Sequence, residues 1–502
     1  MHSFDYVVVG AGSAGCVVAA RLSQDPQTRV LLVEAGTPDG PESMAVPPAW
    51  PTLIGSSADW GFVTVPQSGT MDVVHPYPRG KVFGGSSSIN AMAFLRGHRS
   101  SYDAWAANGA TGWAYDDLLP YFKRSERAAG RDPRHRGADG PMTVAPPRSG
   151  HPLAYVYLEA AVEAGHATSP DLNGEHQEGV AWLETNIVDG RRFSVAEGYL
   201  RPILTRPNLT VISSALVHRV VVRDGRCTGI EYSINGDLRS ARAEHEVILS
   251  AGSIGSAQLL MLSGIGPAAH LREHGLDVLA DLPGVGGNLQ DHPLAGITYS
   301  ATKPVPPTAN QHSDLIAMVR TRPELTSPDL QLIFLDIMYH PPTLIDPEHG
   351  YTIGFSLMQP HSRGSVRLTG ADPAAAPLID PNFLGDERDV ETMVTGLRMA
   401  REVGEAEALA GWRGKEELPG AAVQDDAGLA AYVRSVTGPY FHPVGTCRIG
   451  DDLFGVVDTR LRVHGIDGLR VVDASVMPSI VAANPNATVI AIAERAADLI
   501  IA

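Results

Sequence analysis

Near the start of the chain, Gly10-Ala11-Gly12-Ser13-Ala14-Gly15 has the residue types and spacing to hold a pyrophosphate. In this pattern Gly10 allows a tight turn, Gly12 lets backbone approach the phosphates and Gly15 lets a helix pack closely on a strand. Backbone N–H groups at a helix N-terminus, with their partial positive charge, suit the ligand's negative charge. Glu34, with Ala35 after it, stands where an acid accepts hydrogen bonds from ribose hydroxyls, which argues against a 2′-phosphate. The chemistry is dinucleotide binding, and this element alone does not separate FAD from NAD. Other reactive residue types carry weaker signals. A typical one of the 18 histidines is solvent-exposed or a satisfied polar residue, and His176 in Gly174-Glu175-His176-Gln177-Glu178 could pass for a metal ligand. Cys16, Cys227 and Cys447 are too few and too scattered for a disulfide framework or a metal cluster, so no metal is expected.

The elements that must position these residues follow from pattern. Residues 4–9 are predicted as a buried parallel strand, 16–22 as a helix, and 29–34 as a second strand ending on the acid. Further strands are expected at 247–252, before a helix at 256–262 and a turn at 263–266, and at 469–473, before a terminal helix at 487–501. Pro485 suits the start of that last helix. Strands of one type from distant regions predict an α/β fold, with a discontinuous Rossmann-like nucleotide domain (1–140, 191–292 and 436–502). The remainder, 141–190 and 293–435, is expected to form a smaller domain over the cofactor, where 330–335 and 365–368 suggest a mixed or antiparallel sheet. Pro- and Gly-rich ground at 130–150, 303–313 and 340–350 is read as linkers or surface loops. A chain of 502 residues is too long for one simple core. A net charge of −17 disfavours nucleic acid and anionic membrane as partners. No apolar run reaches the roughly 18 residues of a membrane span. No charged leader precedes Phe4, so a cytoplasmic protein without a signal peptide is expected.

Further segments narrow the cofactor. Arg79-Gly80-Lys81-Val82-Phe83-Gly84-Gly85-Ser86-Ser87-Ser88-Ile89-Asn90 is dense in glycine and serine, which lets backbone lie against a flat, phosphate-bearing ligand. Another runs from Gly252-Ser253-Ile254-Gly255 to Ser263-Gly264-Ile265-Gly266, and a third is Phe441-His442-Pro443-Val444-Gly445-Thr446-Cys447-Arg448. With Gln177-Glu178-Gly179-Val180, Arg201-Pro202 and Asn288-Leu289-Gln290-Asp291-His292, the chain resembles the glucose–methanol–choline (GMC) family of FAD oxidoreductases from about residue 4 to 499. One departure is Ala257, where the family usually has proline, and it is expected only to loosen a helix start.

The resemblance implies roles. The loop from Gly10 through Gly12, Ser13, Ala14 and Gly15, with Glu34 and Ala35, would hold the ADP half of FAD. Arg79, Val82, Gly84, Gly85, Ser86, Asn90, Ala91, Met92 and Ala93 would lie along the pyrophosphate and isoalloxazine. Val217, on the strand 209–211 and its continuation, would contact adenine through its backbone, and Ala251 belongs to the same site. Asp473, Ala474, Asn484, Asn486 and Thr488 match the C-terminal flavin contacts. Covalently flavinylated members carry histidine where this chain has Ile89, so the FAD is expected to be dissociable. The family's acid/base histidine falls on His442 and its second active-site position on Asn486. Imidazole is well suited to take a hydroxyl proton while hydride leaves the carbon for flavin N5, and an amide can hold the substrate oxygen. The terminal helix would stabilise negative charge on the cofactor. Asn484-Pro485-Asn486 also reads as a simple turn and helix cap, and Cys447 as a small buried hydrophobe. Trp60, Phe94, Tyr440 and Phe441 are pocket candidates.

The expected activity is oxidation of a primary alcohol to the aldehyde, with reoxidation by O2 or another acceptor. The alternatives are a hydroxynitrile lyase-like or fatty acid photodecarboxylase-like member of the same family. No aromatic-plus-acid cage for a quaternary ammonium is evident, so choline is not the first choice of substrate.

Overall fold

The computed structural model describes residues 2–340 and 347–502. It is built on two seven-stranded sheets. In the first, the order is Leu209–Ile212, Val30–Val33, His2–Val9, Asp237–Leu249, Arg226–Ile234 and Ala215–Arg223, with Leu469–Val471 also paired to Asp237–Leu249. Val7 lies opposite Leu31 on one side and Val247 on the other, and Leu249 lies opposite Val471. The strands expected near 5, 30, 247 and 470 therefore stand side by side and parallel. Their apolar runs follow from burial on both faces. Val7, Leu31, Val247 and Val471 are fully buried.

The first sheet also carries an antiparallel meander, Ala215–Arg223, Arg226–Ile234 and Asp237–Leu249. This corrects the placement of Val217. The chain does not continue straight from Leu209–Ile212; Ser214 takes a left-handed conformation (φ 52°), and its N–H donates to the Gly36 carbonyl. Val217 then lies on a separate strand, opposite Tyr232. The helix Ser13–Leu22 starts directly after the glycine loop. A Cβ on Gly15 would fall 1.8 Å from the Gly10 carbonyl oxygen, so only glycine lets helix and turn meet. The helix Gly252–Leu262 begins four residues earlier than expected, which places Ala257 in its second turn, fully buried, rather than at its start.

The second sheet is wholly antiparallel: Arg413–Leu418, Pro293–Ala301, Gly350–Leu357, Leu330–Leu335, Leu315–Val319 and Gly179–Trp182, with Gly438–Pro439 paired to Pro293–Ala301. Leu330, Leu332 and Phe334 pack toward the helices Pro152–Glu163 and Glu387–Glu405, whereas Ile333 and Leu335 belong to a different apolar cluster on the opposite face. The segment 365–368 joins neither large sheet. Ser365–Arg367 pairs with Leu378–Asp380, and Val366, Leu368 and Ile379 pack in the first core.

Two stretches read as linkers or surface loops are mostly loop with exposed residues, yet each carries buried ones. Gln311 and Ser313 are buried, and Arg136 is 2% exposed inside a cluster of charges. Its guanidinium donates to Glu126 (2.8 Å), Asp171 (2.7 Å) and Glu184 (2.6 Å), while Arg96 donates to Glu126 (2.6 Å). Buried charges persist where they are paired and hydrogen-bonded in this way. Of the third stretch, 341–346 lies outside the described residues. No helix among the described residues is long and apolar enough to cross a membrane.

Candidate active site

A cavity of about 510 Å³ runs from the glycine loop to the second sheet. At one end lie Gly10, Gly12, Ser13, Ala14, Glu34 and Ala35, with Val217 and Ala251 beside them. Gly10 has φ 99°, and a Cβ there would meet the Ser250 carbonyl oxygen at 2.6 Å. At Gly12, by contrast, a Cβ would meet no protein atom closer than 3.9 Å; it would occupy the space left over the loop. Glu34 is buried, which raises its pKa, and it holds this loop: Oε2 accepts from the Ala11 N–H and Oε1 from the Gly36 N–H, both at 2.7 Å. Each oxygen keeps a lone pair for a further donor such as a ribose hydroxyl.

Arg79, Gly85, Ser86, Asn90, Ala91, Met92 and Ala93 also line the cavity, as do Asp473, Ala474, Asn484 and Asn486. Asp473 is fully used by the protein, accepting from the Gly252 N–H, the Ser256 hydroxyl and both the N–H and hydroxyl of Ser475. It ties the start of one helix to the segment before another, so its side chain acts as a brace. Asn486, the first residue of the helix Asn486–Ile501, accepts from the Ser13 hydroxyl at 2.7 Å, and its Nδ2 is buried without a partner among the described residues. A donor left unsatisfied beside a loop with space over it fits an acceptor-bearing ligand. The dinucleotide site therefore fits FAD: the glycine loop and Glu34 would hold its ADP part, and Asn90, Ala93 and Asn486 would border its ring.

Five expected contacts do not reach the cavity. Gly15 and Gly84 support the loops from behind, and the Gly84 N–H donates to the Ala11 carbonyl. Val82 packs with Leu53, Ala58 and Ile89. Thr488 is fully buried, and its hydroxyl bonds Tyr102 at 2.7 Å. Phe94 is a core residue, 1% exposed, because its strand-like segment turns the ring inward. Trp60, Tyr440 and Phe441 do line the cavity. Cys447 is fully buried.

His442 owes its position to a local irregularity. The segment 438–444 runs antiparallel to 290–294, paired at Pro439 with Pro293 and at Val444 with Gln290. Between these points Phe441 takes φ 66°, the chain bulges, and His442 sits on the bulge. Its own N–H donates to Asp291 Oδ1 (2.7 Å), whose Oδ2 accepts from the Tyr77 hydroxyl (2.7 Å). Burial raises the Asp291 pKa to about 6. Behind the imidazole, Nδ1 of His442 lies 2.9 Å from Nδ1 of His292, and Nε2 of His292 lies 3.2 Å from the Met358 carbonyl oxygen.

That chain assigns the protons. A carbonyl only accepts, so His292 carries its hydrogen on Nε2 and presents a lone pair at Nδ1. His442 then carries its hydrogen on Nδ1, which leaves Nε2 as a free base. Burial lowers the His292 pKa to about 3; burial, then His292, then the charge of Arg79 hold His442 well below its ordinary 6.5. Both rings are neutral at neutral pH.

The amide that meets Nε2 belongs to Asn484, not to Asn486. Asn484 Nδ2 lies 3.3 Å from His442 Nε2, and its Oδ1 accepts from Gln331 Nε2 at 3.4 Å. Pro485 has helical backbone and caps the terminal helix, so the residues on either side of it diverge: Asn484 turns to His442 and Asn486 to Ser13. Asp291 and His292 stand inside the motif Asn288-Leu289-Gln290-Asp291-His292, yet the sequence assigned them no role; an acid and a histidine side by side just before the apolar strand Pro293–Ala301 were the available signal.

Two models described as GMC oxidoreductase match residues 4–294 and 360–493. The chain belongs to the GMC oxidoreductases. It is an FAD-dependent oxidoreductase acting on alcohol (CH–OH) donors. Relatives within this family include the mitochondrial choline dehydrogenase of Homo sapiens, 41% identical over 99% of this chain and 89% of that protein. The oxygen-dependent choline dehydrogenase of Brucella anthropi is 39% identical, covering 99% of this chain and 95% of the relative. Among solved GMC-type structures, pyridoxine 4-oxidase from Mesorbium loti superposes with a TM-score of 0.96 at 37% identity, over 99% of this chain and 98% of that one. These relatives are dehydrogenases and oxidases, and neither the lyase nor the decarboxylase alternative is favoured.

Proposed function

We propose that this GMC oxidoreductase oxidises a primary alcohol to the aldehyde, with FAD held non-covalently and His442 as the base. The observation that carries this reading is the unprotonated Nε2 of His442 in contact with the Asn484 amide in the cavity wall. FAD, when bound, would supply the hydride acceptor, with O2 or another acceptor needed for its reoxidation. The chain's own residues do the rest. Asn484 Nδ2 donates to the substrate oxygen and holds it against Nε2. Nε2 takes the hydroxyl proton as the electron pair of the O–H bond becomes the second bond of the carbonyl. His292 holds the Nδ1 hydrogen of His442, so the basic nitrogen always faces the substrate. The N-terminus of Asn486–Ile501 favours negative charge at the cofactor's ring. Non-covalent attachment is supported at Ile89, which lines the cavity and offers no nucleophile; His442 is the one histidine, and no cysteine, among the described lining residues.

The test is anaerobic mixing of the purified yellow protein with primary alcohols. Wild-type absorbance should bleach. His442→Ala should still bind FAD and bleach more slowly by about 10²–10⁴-fold, the usual worth of a positioned base. A variant that bleaches at near wild-type rate ends this assignment. Acid precipitation should release the flavin into the supernatant as FAD; colour left on the pellet refutes non-covalent attachment.

A further inference from the structure

Resting on the alcohol-oxidising reading, we propose that the substrate is an uncharged, apolar alcohol rather than a cationic one such as a quaternary-ammonium alcohol. Of the cavity's lining residues, Leu294, Ile316, Ile333, Leu335, Tyr339 and Tyr440 pack in one apolar cluster with Ala482 and Ala483, next to Asn484 in the chain, and only Gln311 and Ser313 add polar side chains from the segment before Leu315–Val319. That cluster arises because the second sheet is buried on both faces: the residues opposite Leu332 and Phe334 on the same strand have no solvent to face, and they close the cavity instead.

Charge points the same way. Among the described residues only four acidic, guanidinium or ammonium side chains line the cavity: Glu34, Asp473, Arg79 and Lys81. Both carboxylates already serve backbone N–H or hydroxyl donors in the dinucleotide half. Asp291, behind His442, is used by the His442 N–H and the Tyr77 hydroxyl, and Asp336 beside Leu335 pairs with His312 at 2.7 Å. No carboxylate among the described residues is left to meet a substrate cation. Arg79 adds the opposite sign: its Nη2 donates to the Phe441 carbonyl at 2.6 Å, next to His442, and no carboxylate among the described residues bonds its guanidinium. An ammonium group brought here would lose its water, gain no counter-ion and meet a guanidinium. An aromatic or branched aliphatic group would instead bury apolar surface against apolar side chains. This departs from what the names of the choline dehydrogenase relatives would suggest.

A matched pair of substrates tests it on the holoenzyme. Choline and its neutral isostere, in which a tert-butyl group replaces the trimethylammonium, differ in charge at nearly constant shape. Anaerobic flavin reduction should give a kcat/KM for the isostere at least about 100-fold above that for choline, and benzyl alcohol should also reduce the flavin. Choline reducing the flavin as well as the isostere, or better, would overturn the inference and leave alcohol oxidation standing. A flavin reduced by none of these alcohols would overturn both the inference and the reading on which it rests.

Discussion

Acid should act on His442 from one side of the pH scale only. Its pKa is held well below 6.5, so the imidazole gains its proton as pH falls through that lowered value and loses base function there. The flavin-reduction rate should therefore be flat from about neutral pH upward and fall on the acid side, with the acid limb absent in His442→Ala. Stopped-flow rates across pH check this; a wild-type rate still climbing well above neutral pH would contradict it. The two asparagines should separate by phenotype. Asn484→Ala should slow reduction by about 10-fold, the loss of one hydrogen bond to the substrate oxygen, and keep its FAD. Asn486→Ala should instead retain less FAD on gel filtration, because its Oδ1 holds Ser13 in the glycine loop. The sequence singled out His442 because a whole motif surrounds it, and the structure puts it in the cavity wall. The sequence could not tell Asn484 from Asn486, because which one faces the base depends on the backbone at Pro485, and two identical side chains flanking a proline carry no sign of it.

At the scale of elements, the glycine loop offers a paired test of fold against binding. Gly12→Ala meets no protein atom within 3.9 Å, so the protein should fold with near wild-type thermal stability yet bind FAD weakly, since the methyl fills ligand space. Gly15→Ala drives a methyl onto the Gly10 carbonyl at 1.8 Å and should fail to give soluble protein. Soluble yield and flavin content of the two variants check both arms. In the cluster around Arg136, replacement by alanine leaves Glu126 with Arg96 alone and Glu184 with Arg131 alone as arginine partners, and should lower stability by about 3 kcal/mol in denaturant unfolding. The strands at His2–Val9, Val30–Val33 and Leu469–Val471 were legible because doubly buried parallel strands write themselves as continuous apolar runs. The same signal hid the meaning of Leu330–Leu335, whose unbroken run conceals one face for helices and one for the cavity. The Arg136 cluster was missed for the opposite reason: its sequence is polar, and only tertiary pairing takes it out of water.

Across the whole molecule, the cavity is lined by both sheets and by segments from Val9 to Val489, so its occupant should stabilise the entire chain. Added FAD should raise the melting temperature of flavin-free protein, with a gain near 4 kcal/mol once free FAD exceeds Kd about a thousandfold. Differential scanning calorimetry with increasing FAD reads this directly; an unchanged melting temperature at saturating FAD would place the cofactor elsewhere. The discontinuous assembly of the first sheet was readable because each contributing strand has its own apolar pattern. Gly438–Pro439, which hooks the base-bearing segment onto the second sheet, has no pattern at all, being two residues long and defined only by its pairing with Pro293–Ala301. That hook has a consequence for how such a protein diversifies. The segment carrying His442, the proposed base, hangs from the strand Pro293–Ala301, while Ile316 and Ile333 sit on strands separated from it by Gly350–Leu357. Exchanging those two wall residues would remodel the space beside the reacting carbon while leaving the strand that carries the base paired as before. Lineages, or directed libraries, are thus free to explore new alcohols at a few outlying positions without ever rebuilding the proton acceptor.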